Sequence, residues 1–266
     1  MNKILYALLS VVVLSSCANS YNIEGTSNLS TLDGQKLYLK VFANDDMKSV
    51  DSCDVVHGKF TFCGPLDSVK WANIYMDQNL LIPVVLESGD IVIRIDNTQE
   101  VISGTPLNEK LNTFLRSYTQ FQNQYNELAR GNSQMIMNGL SEDEANSRSN
   151  VRLGQLVQKA DKQFTTFISD NYDNAVGPCA FMLLTIGNQY PTMDVWMEDL
   201  LSKASNAFKN DGYVKFYCNE AKRFQDMMNG MASQPATNES QPDFSNGATA
   251  APMTPNEMAG DTASNK

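Results

Sequence analysis

From Tyr21 to about Ser103 the apolar positions recur with a period of two. Leu37, Leu39 and Val41 alternate with Tyr38, Lys40 and Phe42; Ala72, Ile74 and Met76 with Trp71, Asn73 and Tyr75; Ile91, Ile93 and Ile95 with Val92, Arg94 and Asp96. Alternation of this kind puts one set of side chains on one face of a strand. Turn signals at Asp33-Gly34, His57-Gly58 and Ser88-Gly89-Asp90 separate the runs. Pro83 cannot donate to a ladder, which sends its strand to an edge or a bulge. The pattern predicts seven or eight short strands forming an antiparallel β-sandwich or open barrel over 21–104.

At Thr105-Pro106 the period changes. Thr105 suits an N-cap and Pro106 the first helical position. Leu107, Leu111, Phe114, Tyr118, Phe121, Tyr125 and Leu128 then recur in steps of four and three. A second seam follows the capping-box pattern Ser141-x-x-Glu144, with Leu153, Val157, Ala160, Phe164 and Phe167 in register. Joined through 130–140, the two helices are expected to pack as an antiparallel hairpin. Residues 178–187 are apolar on nearly every side and predict a short buried helix. Trp196, Leu200, Ala204 and Phe208 predict a fourth helix, and Tyr213, Phe216, Tyr217, Ala221, Phe224 and Met228 a fifth. The fold class is therefore α+β, with a helical domain over 105–230.

Residues 231–266 contain no Leu, Ile, Val, Tyr, Trp or Cys. Too little apolar surface is present to offset the entropy of ordering, so this segment is expected to be a disordered tail.

The other end of the chain carries the clearest address. Lys3, an apolar stretch, and then Leu14-Ser15-Ser16-Cys17 follow the layout of a bacterial lipoprotein signal, with the cut before Cys17. The apolar stretch is shorter than the roughly 20 residues that span a bilayer. Residues 1–16 are thus expected to be removed, Cys17 to take acyl chains such as palmitate, and 17–20 to act as the tether. Ala18-Asn19-Ser20-Tyr21 lacks an acidic cluster, which favours the periplasmic face of the outer membrane.

Removing 1–16 takes away only Lys3 and leaves 19 basic against 30 acidic residues. Such a balance disfavours nucleic acid and anionic lipid surfaces as partners. Four further cysteines, Cys53, Cys63, Cys179 and Cys218, include no C-x-x-C pair and no zinc-like spacing. A two-residue turn at His57-Gly58 sets Val55 opposite Phe60 and Cys53 opposite Phe62, with Cys63 facing the other way. A three-residue loop would instead pair Cys53 with Cys63 but would mix Asp54 with Phe62 on one face. Cys179 reads as a core thiol, although its place after Pro178 at a helix start is one that lowers a thiol pKa.

His57 is the only histidine, so any histidine-dependent triad or metal site must use it. At a hairpin turn it reads as a solvated residue. Asp45-Asp46 reads as a polar turn, and Glu142-Asp143-Glu144 as an acid-rich helix start favoured by the macrodipole rather than a metal or glycosidase pair. Met135-Ile136-Met137, placed between the two long helices, either folds back on the hairpin or docks a partner.

Several stretches, taken in order, resemble a known family. They are Tyr21-Asn-Ile-Glu-Gly25, Gly34-Gln-Lys-Leu-Tyr-Leu39, Asp51-Ser52 with Gly58-Lys-Phe-Thr-Phe-Cys-Gly64, Leu86-Glu-Ser-Gly-Asp-Ile91 and Ile102-Ser-Gly-Thr-Pro-Leu-Asn108. This region is similar to domain of unknown function 4369, which precedes a thioredoxin-like domain in many lipid-anchored thiol-disulfide interchange proteins. Phe167-Ile-Ser-Asp-Asn-Tyr-Asp-Asn-Ala-Val-Gly177 resembles the helical linker of the same proteins. The resemblance implies an accessory region in the envelope. Near residue 230, where the redox domain would begin, this chain enters its polar tail, so no redox site residue carries over.

The expectation is a non-catalytic envelope lipoprotein binding a protein or envelope component, without a cofactor or metal. The alternatives are an accessory to thiol-disulfide exchange through its cysteines, and a hydrolase or metal enzyme, which the single histidine disfavours.

Overall fold

The computed structural model describes residues 19–188 and 190–230. The signal stretch, Cys17 and the tail over 231–266 lie outside the described residues.

Among the described residues, eight strands form two four-stranded sheets. They are β1 (Ser20–Ser27), β2 (Lys36–Ala43), β3 (Asp46–Asp54), β4 (Lys59–Pro65), β5 (Lys70–Met76), β6 (Asn79–Leu86), β7 (Gly89–Ile95) and β8 (Glu100–Ser103). One sheet has the order β4-β1-β7-β8 and the other β3-β2-β5-β6. All pairings are antiparallel except β1 with β7, which run parallel because the chain crosses the second sheet between them.

In the first sheet Ile23 sits between Phe62 and Ile91, and Ile93 opposite Ile102, giving one buried face. Its other face carries Glu24, Thr26, Thr61 and Arg94 into solvent. In the second sheet Leu37, Leu39, Ala72, Ile74, Ile82 and Val84 share the inner face. Alternation fails in β5 and β6, where nearly every residue is buried. The reason lies in the third layer: helices cover the outer face of this sheet, so Trp71, Asn73 and Tyr75 are as inaccessible as Ala72 and Ile74. Pro83 falls on β6, an edge strand, as its missing N–H requires.

Six helices follow among the described residues: α1 (Pro106–Met137), α2 (Glu142–Ser169), α3 (Val176–Thr185), α4 (Val195–Lys203), α5 (Asn206–Asn210) and α6 (Gly212–Met228). Helices α1 and α2 form the antiparallel hairpin, cross-linked by Ser117–Gln163 near its base and Asn132–Asn146 near its tip. Phe114 and Phe164 meet on the seam with centroids 5.4 Å apart. Helices α3 and α6 lie on the second sheet, and the strands and helices share one buried apolar cluster.

Two helix expectations need correction. Helix α1 continues through the expected connection to Met137, so Met135-Ile136-Met137 is its last turn and the link is only residues 138–141. Trp196 to Phe208 is not one helix. Ala204 is extended (φ −67°, ψ 144°), and Ser205 restarts the chain as the N-cap of α5, its hydroxyl accepting from Phe208 N and donating to Tyr172 O. Both apolar stretches still reach the core, which is why the period survives the break.

Candidate functional site

The cysteines are placed apart from one another and all four described thiols are free. The turn at His57-Gly58 is the two-residue type, with both residues at positive φ (52° and 69°) and Val56 bridging Lys59. Beyond that bridge the hairpin splays. Cys53 pairs with Leu37 on β2 and Cys63 with Asn22 on β1, in different sheets, so the expected Cys53–Phe62 pairing is corrected. The hairpin's two arms serve opposite layers of the sandwich, which local alternation cannot reveal. Cys53 is half-buried on edge strand β3, and burial pushes its thiol up to about 11. Cys63 is exposed on the solvent face of β4. Cys218, half-buried on α6, is also raised by burial.

Cys179 corrects the idea of a helix-start thiolate. It lies on the second turn of α3, fully buried, and desolvation raises its pKa far above the ordinary thiol value, with Asp211 adding in the same direction. Loss of water outweighs any helix-terminus field here, because the charged form has no solvent to stabilise it.

His57 is exposed at its turn. Asp45 follows Asn44 in a tight turn with both at positive φ, and Asp46 is held below the usual carboxylate range first by the hydrogen bond from Lys48. Glu142, Asp143 and Glu144 form the first turn of α2, where Ser141 Oγ accepts from Glu144 N. Among the described residues no group of three His, Cys, Asp or Glu is placed to hold a metal ion.

The stretches around Leu86–Ile91 and Ile102–Asn108 come together as a built junction. Glu87 Oε1 accepts from Leu107 N (2.7 Å) and Asn108 N (3.1 Å), two free donors at the start of α1. The fully buried Asn108 accepts from Val85 N (2.9 Å) and donates to Val85 O (2.8 Å), so its amide takes the place of a neighbouring strand along β6. It also donates to Thr105 Oγ1 (2.8 Å), which diverts that hydroxyl from the capping bond expected of it. Gly104 (φ +100°) enters this corner where a Cβ would stand 2.2 Å from Asp90 O, so only glycine fits. These residues position α1 against the sheet.

The cleft with the best claim to a ligand lies at the seam between the second sheet and the helices. Its volume is about 630 Å³, within the range of small-ligand sites. Phe42 supplies one wall, against Trp71 (centroids 6.3 Å) and edge-on to Tyr213 (5.3 Å). Asp211, the N-cap of α6, accepts from Tyr213 N and Val214 N with one oxygen and from Trp71 Nε1 (3.1 Å) with the other. Burial raises its pKa despite those three donors, which are already committed to it. Asn210 adds an amide to the lining, as does Asn174, whose oxygen already accepts from Val176 N and whose nitrogen donates to Asn171 Oδ1. This arrangement can bind and orient an apolar or hydroxyl-bearing group. Sequence reasoning passed over Asp211 and Asn174; the N-cap signal of Asp211 before the last helix was the one readable trace.

Residues 21–111 match the family described as domain of unknown function DUF4369. The match runs from β1 into the first turns of α1 and contains the whole Glu87–Asn108 junction. No curated protein and no solved structure matches the chain.

Proposed function

We propose that this chain is a non-catalytic binding module of the cell envelope, held at the periplasmic face of the outer membrane by lipid on Cys17, which engages a protein or envelope component through the seam cleft. The cleft carries the reading: it is a preformed concavity whose aromatic wall and amide groups suit recognition. Of its two carboxylates, Asp211 is spent on capping α6 and holding Trp71, and Asp173 is exposed to solvent. The thiol-exchange alternative draws little support from Cys53, Cys179 and Cys218, all shifted away from the thiolate form by burial.

The test is site-specific photo-crosslinking in living cells. A crosslinker at Asn210, on the cleft rim, is expected to give discrete products that disappear when Ala207→Trp fills the cleft. A crosslinker at Lys59, on the opposite sheet, provides the comparison. Products that are the same at both positions, or that survive the filled cleft, overturn the reading. So does catalytic disulfide reduction by the purified mature chain that is lost with a cysteine substitution.

A further inference from the structure

A second concavity lies between α1 and α2 toward the hairpin tip, with a volume of about 740 Å³. Leu128, Met135 and Leu156 contribute apolar surface to it, and Arg130, Arg152 and Lys159 contribute charge. Among the described residues none of these three cations has an ion pair or hydrogen bond, whereas Arg148 beside them pairs with Glu144. One carboxylate, Glu127, lines the same groove. In a mature chain with an excess of 11 acidic residues (30 against 19), three unpaired cations around one groove mark a surface complementary to negative charge.

We infer that this groove docks an extended acidic segment of a partner protein, with carboxylates about three residues apart and apolar side chains between them. Spacing favours such an occupant over a single small anion. Arg152 and Lys159 are seven residues apart on one face of α2, about 10 Å along the axis. The Asn132–Asn146 and Ser117–Gln163 bonds set the levels of the helices and put Arg130 on the tip side of Arg152. The charges therefore follow one another along the groove, and about 10 Å is close to the rise of three residues of a chain extended as polyproline II, which brings every third side chain back to one face. The apolar surface between them takes the intervening side chains. An anionic bilayer is opposed by Glu142, Asp143 and Glu144, which stand at the same tip.

Gly131 gives a steric handle. It lies inside α1 and lines the groove, and a Cβ there would meet nothing within 4 Å. Packing of the fold thus imposes no glycine at this position. A larger side chain would instead project into the docking space.

The probe is a fluorescent peptide, Glu-Leu-Ala-Glu-Leu-Ala-Glu, titrated against the mature chain by anisotropy and compared with an isomer whose three acids are contiguous. The spaced peptide is expected to bind at least about fivefold tighter than the isomer, and to weaken as salt rises from about 50 to 300 mM. Arg130→Gln with Arg152→Gln is expected to cost about tenfold or more. Gly131→Leu, which keeps every charge, is expected to block binding while the thermal midpoint stays at or above that of the parent. No binding at millimolar peptide, equal binding of the two isomers, or indifference to Gly131→Leu overturns the inference. Displacement by millimolar inorganic phosphate with the same arginine dependence overturns it in favour of a small-anion site. Binding seen only after Glu257→Gln with Asp261→Asn overturns it in favour of the chain's own acidic tail.

Discussion

Glu100 is the most perturbed carboxyl of the described residues with a stated value. It opens β8, and its Oε1 is sealed from water without a hydrogen-bond partner. Desolvation raises its pKa from 4.5 to about 8. The folded chain therefore holds this proton over a range in which the unfolded chain has released it. Stability from this group is fullest below 4.5 and is lost as pH rises toward 8, by on the order of a few kcal/mol. Glu100→Gln should flatten that slope and raise the thermal midpoint at pH 8 while changing little at pH 4; an unchanged slope would mean that the side chain reaches water. The thiols make a second residue-scale test. Cys63 should label within minutes in the native state, Cys53 and Cys218 slowly, and Cys179 only with unfolding, because the thiolate is the reactive form and burial suppresses it. Mass spectrometry of partly labelled protein reads the order directly, and early labelling at Cys179 would contradict its burial.

Elements were legible where one period ran without interruption, and less so where a single side chain overrides it. Leu111, Phe114 and Phe164 lie on the predicted helix seam because steps of three and four place them on one stripe. Ser205 restarts a helix that the spacing of Trp196, Leu200, Ala204 and Phe208 draws as continuous, since the hydrogen bond to Tyr172 O that fixes its place comes from 33 residues away. The same holds for Asn108, whose Leu-Asn context reads as an ordinary first turn, although its amide completes the edge of β6. Asn108→Ala would leave Val85 N–H and C=O without partners in a buried site, and is expected to cost about 2–4 kcal/mol. Glu87→Gln keeps the acceptor oxygen and should cost less, about 1 kcal/mol. Chemical denaturation of the two variants tests the ranking. Equal losses would mean that charge at the start of α1, rather than the amide's mimicry of a strand, holds the junction.

At the scale of the whole molecule, the sequence placed strands before helices and left their third dimension unread. Period two in β5 and β6 gives no hint that α3 and α6 will bury their second face, because the covering residues lie about a hundred positions on. The seam cleft arises from that covering and so was invisible to local pattern, whereas the proposed lipoprotein signal is a pattern of only 17 consecutive residues. The two meet at β1. Only Ala18 and Asn19 separate Cys17 from Ser20, the first residue of a central strand, so the proposed attachment point can stand no more than about 11 Å from the sheet. A lipid there would hold the end of the sandwich bearing Ser20, Pro65 and Gly89 close to the bilayer. If Cys17 is acylated as proposed, Cys17→Ser is expected to release the protein from the membrane fraction or leave it unprocessed, since the acyl chains would supply the anchoring free energy. On whole cells the folded part should resist added protease until the outer membrane is opened. A serine variant still cut before position 17 and still sedimenting with membranes would sink the lipid anchor. Digestion on intact cells would instead move the protein to the outer surface.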